Sequence, residues 1–490
     1  LLPTITKIIN LSLVSGTFPS VWKESMVIPL LKKDHLSSAD FQNYRPISNL
    51  QYISKLTERV VFNQIHSHMA THSLYPLLQS AYRKNHSTET ALLKVHNDIL
   101  MKMNSQCITL LVLLDLSAAF DTVDHTILLD RLYSRIGITG IALDWFKSYL
   151  TGRGQRVLFQ GAVSDRFDVN CGVPQGSCLG PLLFTIYASE LFDIIEKHLL
   201  SVHCYADDTQ LYMSFKPGNI TDQQQAVSSM ESCIHAIRQW MSQNRLIIND
   251  SKTEFIVIGT RQQLSKVNIS NVKVGDVNIS PVLTARNLGF WFDSKFSMAK
   301  QISSVCSISF FHIHNIRHIR KFLSRDTLNI LVHALITSRL DYCNSLYSGL
   351  PKSYLDKLQR VQNTAARLVY GASRYAHVTP MLQKLHWLPF PARIQFKVLL
   401  LTFKAFHNQA PKYLCDLLTK RANSSYSFRS QTSNLLSLPS GKMSKTLGDR
   451  AFCVAAPTLW NRLPQNVRSA PTLVDFKRKL KTHLFLSAYV

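Results

Sequence analysis

The chain has 490 residues, 46% of them hydrophobic and 17% charged, with a mean hydropathy of zero. At roughly 150 residues per domain that is material for about three domains, which excludes a small disulfide-stapled scaffold and a wholly disordered chain. The net charge of +25 is unevenly placed: residues 301–490 carry 27 Lys and Arg against six Asp and no Glu, a net of +21, while residues 1–300 come to +4. A near-neutral front and a basic back suggest chemistry in one part and the holding of a polyanion in the other.

The early elements are helices joined by polar turns, with helical spacing at residues 5–13, a break at Gly16 and Pro19, and a β-rich run at residues 25–31. A helix over residues 53–69 brings Leu56, Val60 and Ile65 near one face. The nearly continuous apolar run of residues 108–114, ending at Asp115, reads as a central strand buried on both faces. A helical stretch at residues 125–149 is followed by a strand near residues 155–159, a Gly/Pro-rich loop at 171–181 and a helix running to Glu196. Residues 203–214 set an acidic turn between two strand-like arms, the pattern of a β-hairpin. Next come a helix at residues 223–244, a strand at 254–258 and a hairpin-like pair between 272 and 292. Beyond residue 297 the chain turns helical, with an apolar stripe along residues 354–369 between Pro351 and Gly371. Residues 422–445, rich in Ser, Asn and Thr, read as a loop or linker.

Nine cysteines occur singly, without a CxxC pair, and point to reduced thiols in an intracellular protein. No apolar run approaches the ~18–20 residues of a bilayer span, so no membrane partner is expected. The opening Leu1 in place of Met suggests a piece of a longer polyprotein with domains missing upstream. His312, His314 and His318 lack a cysteine at ligand spacing and do not make a zinc site.

The acidic residues carry the chemistry. Asp115 ends a buried strand, and Asp207 with Asp208 forms a hairpin tip 92 residues later. Crowded carboxylates repel unless a cation neutralises them, and two Mg²⁺ ions suit hard oxygen ligands with positions left for water and phosphates. In such a site one ion activates an attacking hydroxyl and the other stabilises a leaving pyrophosphate.

Seven consecutive motifs then resemble a known family, the reverse transcriptases of non-LTR (LINE-type, jockey-like) retrotransposons. YADD at residues 205–208 resembles the catalytic hairpin of the palm, and LLDLSAAFDTVDH at 113–125 the preceding metal-binding motif. NYRPISNL at 43–50 and QSAYRKNHSTETAL at 79–92 resemble two fingers motifs, and GVPQGSCLGPLLFTIY at 172–187 the template and nucleotide loop. NDSKTE at 249–254 resembles the lysine motif and NLGFWFD at 287–293 the primer-grip hairpin. Less specific likenesses extend to LQRVQNTAARLVYG at 358–371 and HWLP at 386–389.

The resemblance implies that Asp115, Asp207 and Asp208 hold two Mg²⁺ ions, for which Mn²⁺ can substitute. It implies that Phe120 lies under the incoming sugar, where a ring clashes with a 2′-OH and makes the product DNA. Arg45 and Arg83 match positions that clamp the triphosphate, and Gln175 and Gly176 a loop that approaches the base pair closely. Lys252 matches the candidate general acid for the pyrophosphate. Asp121 reads as structural, capping or pairing near the fingers. Ala81 and Tyr82 replace the usual Gly and Phe, and residues 188–190 a usual polar triplet, but no metal ligand is lost, so an intact site is expected.

The expected architecture is α+β, a right-hand polymerase of fingers, palm and thumb with a helical basic C-terminal extension. Residues 1–110 would form fingers and an N-terminal extension, 108–297 the palm with interleaved fingers elements, 298–375 a thumb-like helical region and 376–490 the basic extension. Lys357, Arg360 and Arg367 lie off the apolar stripe of their helix, and Lys477, Arg478 and Lys479 interleave with aromatics in FKRKLKTHLF, all suiting nucleic acid. Deleting residues beyond about 375 should then flatten the salt dependence of binding. Partners implied by the resemblance are an RNA template, a DNA primer at a nicked target, dNTPs and an upstream endonuclease domain. It also implies action in the nucleus and assembly with RNA in the cytoplasm. The alternatives are a decayed or domesticated copy that binds RNA without catalysis, and a group II intron-type reverse transcriptase.

Overall fold

The computed structural model describes residues 1–117, 119–198, 201–421, 434–441, 444 and 447–489. At its centre is a four-stranded antiparallel sheet in the order Glu254–Ile258, Ile108–Leu114, Asp208–Phe215, Ser201–Tyr205. The apolar run of residues 108–114 is its inner strand, and both faces are covered, which is why the strand shows no polar alternation. Ile108, Leu110, Val112 and Leu114 enter one core with Leu211, Phe255 and Val257. Leu111, Tyr212, Ile256 and Ile258 enter a second core on the opposite face.

The first core is completed by helices His125–Ser134, Gly140–Leu150, Gly180–Tyr187 and Ile220–Gln243. The helical stretch expected at residues 125–149 is thus two helices, separated by a turn at Gly137, which adopts φ 76°. Helix Tyr52–Thr71 turns Thr57, Glu58, Val61 and Ile65 inward, while Leu56 and Val60, expected on that face, are half-buried at its margin. A second sheet joins Glu24–Leu31 antiparallel to Tyr44–Asn49 and parallel to Arg153–Phe159. It is the sheet expected to belong to the fingers, separate from the central one.

The second core is organised around helix Thr88–Asn104, whose start is fixed by a reciprocal capping box between Ser87 and Thr90. Leu92, Leu93, Ile99, Leu100 and Met103 on this helix are buried. They meet the hairpin Thr284–Asn287/Phe290–Asp293, helices Ala299–Ile319 and Lys352–Tyr370, and residues as far along as Phe452 and Ala456. Phe290 and Phe292 are fully buried there, so the unusual aromatic content of that hairpin is core packing.

The boundary expected near residue 375 is not a break in packing. Phe390, Ile394, Val398, Tyr413 and Phe452 share one core with Val361, Ala365 and Val369, because helix Phe390–Phe406 lies against Lys352–Tyr370. A smaller third core, with Phe403, Trp460, Phe476 and Leu480, binds the last helix, Leu473–Tyr489, to the same body. The linker expected at 422–445 falls mostly outside the described residues. No helix among the described residues is long and apolar enough to cross a membrane, and all nine cysteines are free.

Candidate active site

Strand register brings the three acids together. Leu114 pairs with Thr209, so the next residue of the central strand, Asp115, stands beside Asp208 at the start of its neighbour. Asp207 lies in the turn between Tyr205 and Asp208, which face one another across the hairpin. Burial raises the Asp207 carboxyl above its usual range, and the charge of Asp115 adds to this. Asp208 is pushed up to about 6, first by desolvation on the cleft floor and then by Asp207 and Asp115, although its side chain opens to solvent. Asp115 Oδ2 is shielded from water and accepts no hydrogen bond. Lys252 Nζ stands 3.5 Å from that oxygen on a side chain 63% exposed. The turn bearing Lys252 is pinned by Asn249 N–H donating to the Asp115 carbonyl at 2.8 Å.

Among the described residues no group of three or more His, Cys, Asp or Glu side chains is arranged to hold a metal ion by itself. The three acids are an open, mutually repelling set with an Asp115 oxygen that accepts no hydrogen bond. It fits divalent cations that take the rest of their ligands from water and substrate phosphates.

Around the acids, Phe120 is half-buried, its ring tilted against Phe184 with centroids 5.0 Å apart. Asp121 is paired as expected: both its carboxylate oxygens accept from Gln175 Nε2 at 2.9 Å. The Gln175 side-chain amide is therefore bound to Asp121, and the backbone carbonyl of Gln175 accepts from Ser48 N–H at 2.8 Å. Gly176 adopts φ 120°, and a Cβ there would lie 2.7 Å from the Ser48 carbonyl oxygen. The close approach expected toward a base pair is, in this structure, an approach to the fingers backbone. The same loop is anchored from below by Glu58, whose carboxylate accepts from Cys178 N–H at 2.6 Å and Leu179 N–H at 3.2 Å. Burial raises the Glu58 carboxyl despite these bonds.

The basic residues divide into two groups. Arg45, exposed on the fingers strand opposite Leu30, has no hydrogen bond or ion pair among the described residues. Arg83, expected as its partner, is tied down: Nη1 donates to the Pro76 and Gln79 carbonyls at 2.8 Å, and the guanidinium lies over the Tyr75 ring. Lys357 and Arg360 are exposed on their helix, but Arg367 donates to the Ala376 carbonyl at 3.0 Å and closes the turn after it. In the last helix Lys477 is exposed, Arg478 pairs with Asp475 and Lys479 reaches the Asn466 carbonyl. His314 and His318 contact each other at 2.9 Å without a third ligand.

Residues 30–292, more than half the chain, match the model of the family described as reverse transcriptase (RNA-dependent DNA polymerase). The chain belongs to the reverse transcriptase family. It is 26% identical over 387 residues to a probable RNA-directed DNA polymerase from transposon X-element of Drosophila melanogaster, covering 77% of this chain and 41% of that protein. To the RNA-directed DNA polymerase from mobile element jockey of the same species it is 27% identical over 379 residues, covering 75% and 40%. The chain thus spans about two fifths of the length of these relatives. Apo telomerase from Candida tropicalis is a structural neighbour at a TM-score of 0.43 and 11% identity, covering 76% of this chain and 63% of that one.

The family match of this reverse transcriptase takes in the central sheet and its acidic hairpin and stops at residue 292, before the helix that begins at Ala299. The family is one of nucleotidyltransferases that generally use divalent metal ions. Two residues that sequence reasoning passed over hold the site: Glu58, under the loop at residues 174–179, and Gln79, whose carboxamide meets the catalytic turn. An acid on the helix face that also carries Val61, Ile65 and Met69 was a legible signal for Glu58. Gln79 stands at the head of a motif whose arginine drew the attention.

Proposed function

We propose that this chain is the polymerase portion of a non-LTR retrotransposon protein and copies the element's RNA into DNA from a primer supplied by a nicked target. The observation that carries the reading is the convergence of Asp115, Asp207 and Asp208 at one sheet end, with a buried Asp115 oxygen that accepts no hydrogen bond and stands 3.5 Å from Lys252 Nζ. When bound, two Mg²⁺ ions, or Mn²⁺ in their place, lower the pKa of the attacking hydroxyl and neutralise charge on the departing pyrophosphate. The primer 3′-OH attacks the α-phosphorus of a dNTP, a new P–O bond forms and the bond to the pyrophosphate breaks.

The protein's own residues orient this reaction. The exposed guanidinium of Arg45 suits the triphosphate, whereas Arg83 supports its loop. Phe120, braced by Phe184, sets a ring against the sugar and disfavours a 2′-OH. Lys252, mobile on an exposed side chain beside Asp115, is placed to give a proton to the leaving group. The exposed Lys357, Arg360 and Lys477 suit phosphates of template and primer. An endonuclease domain upstream in the full-length element, action in the nucleus and assembly with RNA in the cytoplasm complete the proposal. The readings as a binding-only copy and as a group II intron-type enzyme have no lost ligand or added motif to support them.

Purified chain should extend a DNA primer on an RNA template with Mg²⁺ and dNTPs and discriminate against rNTPs. Asp207→Ala should abolish extension while RNA affinity stays within about twofold. Binding without extension by the unaltered chain would instead establish the binding-only reading.

A further inference from the structure

The turn that carries Asp207 is unusual in its backbone. Ala206 has φ 59°, the left-handed region that costs a residue with a Cβ ~1–2 kcal/mol. Both of its polar backbone groups face one side chain, that of Gln79. Gln79 Oε1 accepts from Ala206 N–H at 3.0 Å, and Nε2 donates to the Ala206 carbonyl at 3.3 Å. A carboxamide alone among side chains presents a donor and an acceptor in one plane for such a pairing. Gln79 is 2% exposed, and its Oε1 also accepts from Ala81 N–H, which fixes the amide orientation.

The segment bearing Gln79 is itself laid along the edge strand Ser201–Tyr205. Cys204 N–H donates to the Leu78 carbonyl and Ser80 N–H to the Cys204 carbonyl, each at 2.9 Å. Behind it runs a chain of hydroxyls that passes through Tyr413 of the C-terminal region. His203 Nε2 and Ser80 Oγ are 2.8 Å apart, Ser80 Oγ and Tyr413 Oη 2.8 Å, and Tyr413 Oη and Thr90 Oγ1 3.0 Å. Thr90 Oγ1 donates in turn to the Ser87 carbonyl at 2.9 Å. Each hydroxyl has one proton, so the chain runs one way: His203 to Ser80 to Tyr413 to Thr90 to the helix cap. His203, Ser80 and Tyr413 are buried, and at the head of the series His203 Nδ1 has no hydrogen-bond partner.

We propose that Gln79 is a positioning residue for the catalytic turn, and that Tyr413, from the C-terminal region, holds it in register through Ser80. Gln79 does not touch the reacting atoms; it sets the peptide from which Asp207 and Asp208 project. The proposal rests on the polymerase reading for its kinetic arm and stands without it for its metal-binding arm.

The test uses the full chain with Gln79→Ala, Tyr413→Phe and Asp207→Ala. Mn²⁺ affinity is measured by water-proton relaxation without nucleic acid, primer extension by kcat and dNTP KM, and folding by thermal unfolding. Displacing a reacting geometry by about an ångström costs on the order of 10²-fold. Gln79→Ala should therefore lower kcat ~30–100-fold with KM within about twofold, and weaken Mn²⁺ binding by roughly fivefold or more. Tyr413→Phe, which keeps the ring and removes only the hydroxyl, should lower kcat ~3–10-fold and shift Mn²⁺ affinity in the same direction.

Wild-type Mn²⁺ affinity and kcat per folded molecule in both variants would overturn the proposal, as would losses that only track the folded fraction. If Gln79→Ala does not fold, Tyr413→Phe decides. If the unaltered chain binds Mn²⁺ but extends no primer, the polymerase reading falls and the Mn²⁺ comparison still decides the positioning role.

Discussion

The front and the back of the catalytic hairpin are built on opposite principles. On the front, three carboxylates crowd one sheet end, Asp207 and Asp208 are held above their usual range, and an Asp115 oxygen lacks a hydrogen bond. On the back, Ser80, Tyr413 and Thr90 satisfy one another in series, and Gln79 meets both polar groups of Ala206. Unsatisfied polar groups are costly in a protein interior, so a surface awaiting cations is tenable where the structure beneath leaves little freedom. The difference teaches that part of the C-terminal region, through Tyr413, packs directly behind the candidate active site.

Four measurements would break or sharpen that contrast. The largest effect is at the front: Asp115→Asn should reduce primer extension by ~10³-fold or more, while thermal stability stays level or rises slightly, because a repulsive charge is removed. The next is at the back. Phe390→Ala, deep in the core shared by thumb and C-terminal region, should cost ~3–5 kcal/mol in denaturant unfolding. Truncation near residue 375 would uncover that core altogether and should yield insoluble chain rather than a folded protein with a flatter salt slope.

Third, Asp208 is pushed from the ordinary 3.8 to about 6. A raised carboxyl binds its proton more tightly in the fold, so it destabilises the metal-free protein increasingly as pH rises through that interval, and fully above it. Below pH 6 a cation must displace the proton, and Mn²⁺ affinity should fall by up to ~10-fold per pH unit, read by relaxation titrations from pH 7 to 5. The smallest effect concerns the outer surface: Lys477→Glu should reduce the slope of log affinity against log salt by about 1. Arg478→Glu, altering a residue already paired with Asp475, should change it less.

Much of the front was legible in the sequence because its rules are local. The apolar run before Asp115, the two strand-like arms around Asp207 and Asp208, and the motif order place the acids without tertiary information. The lysine near Asp115 was legible as a motif, and the structure puts it 3.5 Å from the carboxylate. The back was not legible, since its contacts join residues far apart in the chain: Tyr413 meets Ser80 across 333 positions and Cys453 N–H reaches Asn97 Oδ1 across 356. Charge misled in the same way. Arg450 and Arg468 are buried, Arg393 pairs with Asp341 and Lys397 with Glu89, so part of the basic excess is structural. A one-dimensional count cannot separate a lysine that meets solvent from one that meets a carbonyl.

The contact between Gly176 and Ser48 has a kinetic consequence. With no room for even a methyl group between them, and with Ser48 N–H bonded to the Gln175 carbonyl, the strand Tyr44–Asn49 and the loop after Pro174 are geared to each other. Under the proposed role of Arg45 in holding a triphosphate, any displacement of this strand would carry the loop with it.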